Sequence, residues 1–239
     1  RLWDGLDDPY LYTVTARLDN GETETARFGC RKFEIDPQKG FILNGRPYPL
    51  RGVSRHQDRK GAGVAITKEM MEEDMALILE MGANTIRLAH YQHAQAFYDL
   101  CDEYGILVWQ DFTMACALYS QQAEFQKTLT KEATQVVRKL RNHACILLWA
   151  GDNEVDESYI GQGFATIANN YNVITRETLP RVVRENDPYR MYLPSSPYID
   201  AGVPRYMVPE QHNWGARAYF KDDFYRSSNA HFISECGYH

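Results

Sequence analysis

The sequence predicts an α/β protein of the (β/α)8-barrel class, seven strands present and the eighth missing, preceded by the last strands of a β-sandwich. Three observations lead there. From about residue 48, short apolar runs alternate with stretches of helical periodicity, the pattern of repeated βα units around a parallel sheet. Each apolar run ends in chemically capable polar residues, as the strands of a barrel do at the face where active sites are built. The glycine-rich phosphate loop that an open doubly wound sheet would want is absent.

In chain order, residues 11–18 and 23–33 alternate in polarity on either side of the turn Asp19-Asn20-Gly21 and read as strands. Two or three strands cannot enclose a sandwich core, so residues 1–36 read as the tail end of a domain, and residues 37–239 as the barrel. Asn44-Gly45, between apolar flanks at 41–48, predicts a hairpin. Barrel strands are predicted at 50–53, 85–88, 107–109, 146–149, 191–193, 207–208 and 231–233. Between them, Thr67 caps a helix with Met71, Met75, Ile78 and Leu79 on one face and Gly82 at its end. Further helices are predicted at 94–104, stopped by Gly105, at 123–140, and at 164–185, where Pro180 kinks or splits the pattern.

Composition narrows the function. With 44% hydrophobic and 24% charged residues, the 239-residue chain is globular. A net charge of −6 argues against nucleic acid, whose binding depends on clustered Lys and Arg. No apolar run approaches the roughly 18 to 20 residues of a membrane span, and the opening residues RLWDGLDDPY lack the pattern of a signal peptide. Five scattered cysteines with no CxxC spacing predict free thiols and assign no metal ligands. The 16 Tyr and 4 Trp suit a sugar site, because flat aromatic faces pack on the C–H faces of pyranose rings.

The polar residues at the strand ends are Ser54-Arg55-His56-Gln57-Asp58, then Arg87 with His90-Tyr91, then Trp109-Gln110-Asp111. Asp152-Asn153-Glu154, Ser195-Ser196, His212-Asn213-Trp214 and Ser234-Glu235 follow. Ordinary loops favour Gly, Ser, Asn, Asp and Lys, whereas His, Arg, Trp and Glu dominate this set. Glu154 and Glu235 would both emerge at one rim. Paired carboxylates about 5 to 5.5 Å apart across a sugar are what retaining glycoside hydrolysis requires, one attacking the anomeric carbon and the other protonating the leaving oxygen.

These motifs resemble glycoside hydrolase family 2, which includes β-galactosidases, β-glucuronidases and β-mannosidases. The stretches FILNGRPYPLRGVSRHQD, GANTIRLAHYQH and FYDLCDEYGILVWQD resemble bacterial β-galactosidases, whereas WQDFTMACALY and LLWAGDNE resemble the β-mannosidase branch. FISECGYH resembles the family's nucleophile segment, and LWDGLDDPYLYTV its immunoglobulin-like domain before the barrel. The resemblance implies Glu154 as general acid/base, Glu235 as nucleophile, and Asn153 as the partner of the sugar 2-hydroxyl. It further implies Arg87 beside the nucleophile, His56 and His90 near the sugar, and Trp109 and Asp111 bordering the pocket, with His212 and Trp214 as substrate contacts. Repulsion from Glu235 is expected to raise the pKa of Glu154.

The activity so implied is that of a retaining exo-β-glycosidase, β-galactosidase-like, with a β-mannosidase or β-glucuronidase of the same family as alternatives. Its partner is a carbohydrate substrate, with a homo-oligomer in the full-length enzyme and a bacterial cytoplasmic or periplasmic setting. No cofactor is required; some galactosidases of the family bind Mg²⁺ or Na⁺, but the sequence assigns no ligands to such an ion. Against the family pattern, the N-terminal jelly-roll domain is absent and the chain stops at Gly237-Tyr238-His239, so a fragment of a longer enzyme is expected. Two other classes stand beside this reading. One is an inactive carbohydrate-binding fragment, and the other a metal-dependent hydrolase using His56, Asp58, His90 and His212, for which no HxH or HExxH spacing is present.

Overall fold

A computed structural model describes residues 1–36, 38–161, 172–199, 210–215, 223 and 227–238. A five-stranded sheet follows the chain in its strand order, with a helix in each of the first three connections, and a separate two-stranded parallel sheet lies near the C-terminus. By contact density the chain divides into two compact units, and the inner strands of the five-stranded sheet begin in the first and end in the second.

The first unit comprises Arg1–Ile86, His93–Trp109 and Arg138–Leu147. It opens with β1 (Tyr12–Arg17) and β2 (Thr23–Phe28), an antiparallel ribbon whose side chains are nearly all exposed. The single strand predicted at 23–33 is in fact two: β2 stops at Phe28, and β3 (Phe33–Asp36) belongs to another sheet. The reason lies at Gly29, where a Cβ would fall 2.7 Å from Ala144 and 2.8 Å from Trp3, so the chain is pressed against its neighbours and leaves the ladder. The strand β3 pairs antiparallel with β4 (Gly40–Leu43), which pairs in turn with β5 (Arg46–Pro47). The hairpin between these last two turns at Asn44 and Gly45, both in left-handed conformation at φ 52° and 84°, the geometry an Asn-Gly turn supplies.

Next come β6 (Gly52–Arg55) and α1 (Lys68–Glu80). The hydroxyl of Thr67 accepts the Met70 N–H at the start of the helix, and Met71, Met75 and Ile78 bury one face. After β7 (Thr85–Leu88), the helix α2 (Gln95–Tyr104) ends at Gly105 in left-handed conformation. A Cβ there would lie 2.1 Å from the carbonyl oxygen of Gly5, so only glycine fits. Asp102 on this helix is buried, and it accepts from the Cys145 N–H at 2.8 Å and pairs with His143 Nδ1 at 2.7 Å.

The second unit comprises Arg87–Gln92, Gln110–Val137 and Leu148–His239. It holds the ends of β7, of β8 (Leu107–Asp111) and of β9 (Ile146–Ala150), and most of α3 (Ala123–Leu140). All residues of β8 and β9 are buried, which is why they read as unbroken apolar runs. Gln110 and Asp111, predicted to follow their strand, lie within it. The helix α4 (Val155–Gly161) comes next, and α5 (Leu179–Asn186) precedes β10 (Met191–Leu193), which pairs parallel with β9.

The long helix predicted at 164–185 is helical from 173 onward where it is described, but its winding changes part-way. Residues 162–171 lie outside the described set; Ile174–Thr178 is π-helical, the Leu179 N–H reaches back to the Ile174 carbonyl, and the wider turn passes with right-handed helical backbone straight into α5 at Pro180. The strand predicted at 207–208 also lies outside the described residues. The strands seen there are β11 (Glu210–Gly215) and β12 (Phe232–Tyr238), so His212-Asn213-Trp214 and Ser234-Glu235 lie inside strands instead of after them. The register of this parallel pair shifts by one residue: Gln211 faces Ile233, but His212 faces Glu235. Ser234 is the extra residue of a β-bulge, a device that re-aims the side chains beyond it.

All five cysteines are free thiols; Cys101 and Cys145 are buried, whereas Cys30, Cys116 and Cys236 are exposed. Among the described residues no helix is long and apolar enough to cross a membrane.

Candidate active site

The predicted residues that meet do so within the second unit, around Arg87 near the end of β7. Arg87 is buried at 4% exposure. Its Nε lies 3.2 and 3.1 Å from the two carboxylate oxygens of Asp111, its Nη1 donates to Glu235 Oε1 at 2.6 Å, and its Nη2 donates to Asn153 Oδ1 at 2.9 Å. Burial disfavours the guanidinium charge, but the Asp111 carboxylate, then those of Glu235 and Glu210, outweigh it and hold Arg87 above its ordinary pKa. His90 joins the same cluster, Nδ1 at 2.7 Å from Asp111 and Nε2 at 3.6 Å from Glu235.

Asn153 and Glu154 follow β9 and are clamped by backbone on both sides. Asn153 bridges Ala115 on one side and Ser196 on the other, and Glu154 N–H donates to the Ser196 carbonyl at 2.8 Å. Glu154 itself takes φ 56°, a left-handed conformation rare for a non-glycine residue. Behind it, Asp152 is fully buried, accepting from the Ser195 hydroxyl at 2.5 Å and from the Val155 N–H at 3.3 Å. Burial pushes its carboxyl well above the usual carboxylate range. Asp152 therefore braces the turn that carries Glu154 through the Val155 N–H and the Ser195 hydroxyl.

The bulge in β12 decides how the two glutamates meet. With His212 opposite Glu235, the His212 Nδ1 lies 2.8 Å from Glu154 Oε1 and 3.5 Å from Glu235 Oε2. One carboxylate oxygen from each glutamate and one imidazole nitrogen all lie within 4.8 Å of one another. Glu235 is 8% exposed, and its Oε2 accepts the indole N–H of Trp214 at 2.8 Å. Trp214 is itself 46% exposed, with its ring lying close over Gly237. The Glu154 carboxyl is only partly covered, as the group nearer the mouth should be.

The pKa direction of Glu154 overturns an expectation. Repulsion from Glu235 was to raise it, yet the His212 hydrogen bond, aided by the charge of that imidazole, outweighs desolvation and holds Glu154 below the ordinary carboxylate value. The sequence could not show this, because His212 and Glu154 are 58 residues apart and meet only in the folded chain.

Two site residues escaped the sequence reading. Glu210, 2% exposed, accepts from the hydroxyls of Ser196, at 3.1 Å, and Ser234; Ser196 also lies 3.1 Å from His212 Nε2. Burial raises the pKa of Glu210. Its position two residues before His212 in one strand, hence on the same face, was the signal available. The second is Cys116, whose thiol donates to Glu154 Oε2 at 3.5 Å and accepts from Asn153 Nδ2 at 3.3 Å. Of the remaining predicted residues, His56 is exposed and Trp109 is 6% exposed; both belong to the first unit, and none of the bonds above involves them.

Two groups among the described residues bring donors within a cation's reach: Glu154, His212 and Glu235, and, in the first unit, Asp102, His143 and Cys145. In the former, Arg87 stands 2.6 Å from Glu235 and 3.3 Å from His212, a fixed positive charge that opposes a cation.

The sequence matches the family profile described as glycosyl hydrolases family 2, TIM barrel domain, over residues 33–192. It is 36% identical over 190 residues to a β-glucuronidase of Bacteroides fragilis, covering 75% of this chain and 27% of that protein. A β-galactosidase of Bacteroides ovatus is 32% identical over 167 residues, covering 66% of this chain and 20% of its own length. In three dimensions the chain matches the β-D-mannosidase of Dictyoglomus thermophilum with a TM-score of 0.85 at 32% identity, over 98% of this chain and 31% of that one. The chain thus spans between a fifth and a third of the length of these relatives.

Proposed function

Because the chain belongs to glycosyl hydrolases family 2, whose TIM barrel domain it carries, we propose that it houses the catalytic centre of a retaining exo-β-glycosidase, with Glu154 as general acid/base and Glu235 as nucleophile. The observation that carries this is that one carboxylate oxygen of Glu154 and one of Glu235 lie within 4.8 Å of each other around His212. That separation suits direct attack on the anomeric carbon; inverting enzymes hold their carboxyls about 6.5 to 9.5 Å apart, leaving room for a water.

In this reading Glu235 attacks the anomeric carbon while Glu154 gives its proton to the leaving oxygen, and a covalent glycosyl-enzyme forms. Water then enters, Glu154 takes its proton, and the ester to Glu235 is broken with net retention. Arg87 keeps a positive charge against Glu235, favouring the ionised nucleophile. Asn153, pinned by Arg87 through Oδ1, meets the sugar 2-hydroxyl, where its bond strengthens in the oxocarbenium-like transition state. The exposed face of Trp214 offers a stacking surface for the ring. The proton on Glu154 is supplied on binding: a sugar seated against its partly covered carboxyl removes water, and desolvation pushes a carboxyl's pKa upward against the pull of His212.

The likenesses divide among β-glucuronidase, β-galactosidase and β-mannosidase, so they give the β-galactosidase-like reading no preference over the other two. We read residues 1–36 as the last strands of an immunoglobulin-like domain and 37–239 as the barrel; the exposed faces of β1 and β2 are what a sandwich strand presents without its facing sheet. Nitrophenyl β-galactoside, β-mannoside and β-glucuronide, followed by NMR of the released sugar, test the proposal. One of the three should be cleaved with the β-anomer appearing first; initial release of the α-anomer would exclude the double displacement.

A further inference from the structure

We propose that Cys116 is a positioning residue for the general acid, holding the second oxygen of Glu154 in place while His212 holds the first. The inference rests on the assignment of Glu154 made above. The two residues face each other across the segments that follow β8 and β9, and both adopt left-handed backbone, φ 50° at Cys116 and φ 56° at Glu154. Such conformations are strained for non-glycine residues and persist where surrounding contacts over-determine them. The contacts are present: the Cys116 N–H donates to the Asn153 carbonyl at 2.9 Å, and the Asn153 N–H donates to the Met114 carbonyl at 2.8 Å. The turn at Cys116 is thereby fixed to the turn that bears the acid.

At the side-chain level the thiol lies between two residues of the proposed reaction. It donates to Glu154 Oε2 at 3.5 Å and accepts from Asn153 Nδ2 at 3.3 Å, while Glu154 Oε1 faces His212 Nδ1 at 2.8 Å. The two oxygens of the acid are thus allotted to different partners. Though exposed on one side, the thiol is partly shielded from water by its neighbours, and this, with the adjacent Glu154 charge, raises its pKa, so Cys116 keeps its donor. A thiol is a weak donor. It orients Oε2 yet yields cheaply when that oxygen has to carry the proton to the leaving group. A hydroxyl in its place would bind the carboxylate more tightly and resist protonation.

The test compares wild type, Cys116→Ala and Cys116→Ser on aryl β-glycosides of graded leaving-group acidity, with thermal unfolding to confirm that each variant folds. An acidic phenol departs unaided, whereas a poor leaving group needs the acid. Cys116→Ala should therefore lose about tenfold in kcat/KM on the poorest leaving groups and little on the dinitrophenyl glycoside. Cys116→Ser should move the alkaline limb of the pH profile to lower pH, and Cys116→Ala should move it to higher pH. An equal loss on every substrate, or unshifted limbs in both variants, would overturn the proposal. Glu154→Ala in the same series separates the two readings: if it too shows no leaving-group dependence, the assignment of Glu154 fails and not only that of Cys116.

Discussion

Arg87 Nη1 lies 2.6 Å from Glu235 Oε1, with both side chains almost wholly withdrawn from water, and the same guanidinium reaches Asp111 and Asn153. One cation therefore bridges two buried carboxylates and offsets part of their mutual repulsion. Removing it leaves both carboxylates without their counter-charge, and breaking a buried pair in this way costs about 3–5 kcal/mol.

Arg87→Ala should accordingly lower stability by roughly that amount in a denaturant titration. Arg87→Lys should recover part of the stability but little of the activity, because an ammonium cannot replace the planar fork that spans Asp111, Glu235 and Asn153. Wild-type kcat/KM in the lysine variant would show that the fork geometry is not needed.

His212 governs the acidity of Glu154 in the free protein. Its hydrogen bond is the largest cause holding Glu154 below the ordinary carboxylate value. The acid acts only while protonated, so its pKa sets the alkaline limb of the kcat/KM profile, which reports on the free enzyme. His212→Phe removes the lowering contact, the pKa rises, and that limb should move to higher pH. A limb that stays in place, or moves to lower pH, contradicts the assignment.

Gly237 should be intolerant of any side chain. A Cβ there would lie 1.9 Å from Trp214 Cζ3, so alanine must push the indole aside and disturb its 2.8 Å bond to Glu235. Displacement of a positioned group by about 1 Å can cost on the order of a hundredfold in rate. Gly237→Ala should thus fall in kcat/KM in the same direction as Trp214→Phe, and normal turnover in the alanine variant would mean that the indole is not positioned by this contact.

Chelation should leave hydrolysis of a chromogenic β-glycoside unchanged, whereas Glu235→Ala should abolish it. Arg87, 2.6 Å from Glu235 and 3.3 Å from His212, already places a positive charge against two of the three residues that would hold a cation with Glu154. Full activity in the alanine variant with loss under chelation would favour metal-dependent hydrolysis instead.

Local pattern made much of the framework legible. Thr67 with Met71, Met75 and Ile78 marks a helix because its period and its cap are written within a few residues, and Asn44-Gly45 marks a hairpin for the same reason. Strand ends were less legible: Gln110 and Asp111 look like loop residues, but they are buried in a strand because Arg87 and His90 satisfy the Asp111 carboxylate. Among site residues, Glu154, Glu235, Arg87 and Asn153 could be named from motif resemblance, whereas Glu210 had only its i−2 spacing from His212 to mark it and Cys116 belongs to no local pattern that singles it out.

By itself the sequence determined the alternation of strands and helices, the residues available at the strand ends, and the family to which the chain belongs. The tertiary structure alone decided that a bulge at Ser234 sets His212 beside Glu235, that Cys116 meets Glu154, and that Glu154 is more acidic than a free carboxyl, not less. The physical reason is one of range. Periodicity and capping act over one or two turns of chain, whereas register between distant strands depends on packing around the whole sheet, and the acidity of a carboxyl depends on whichever groups that register brings within a few ångströms.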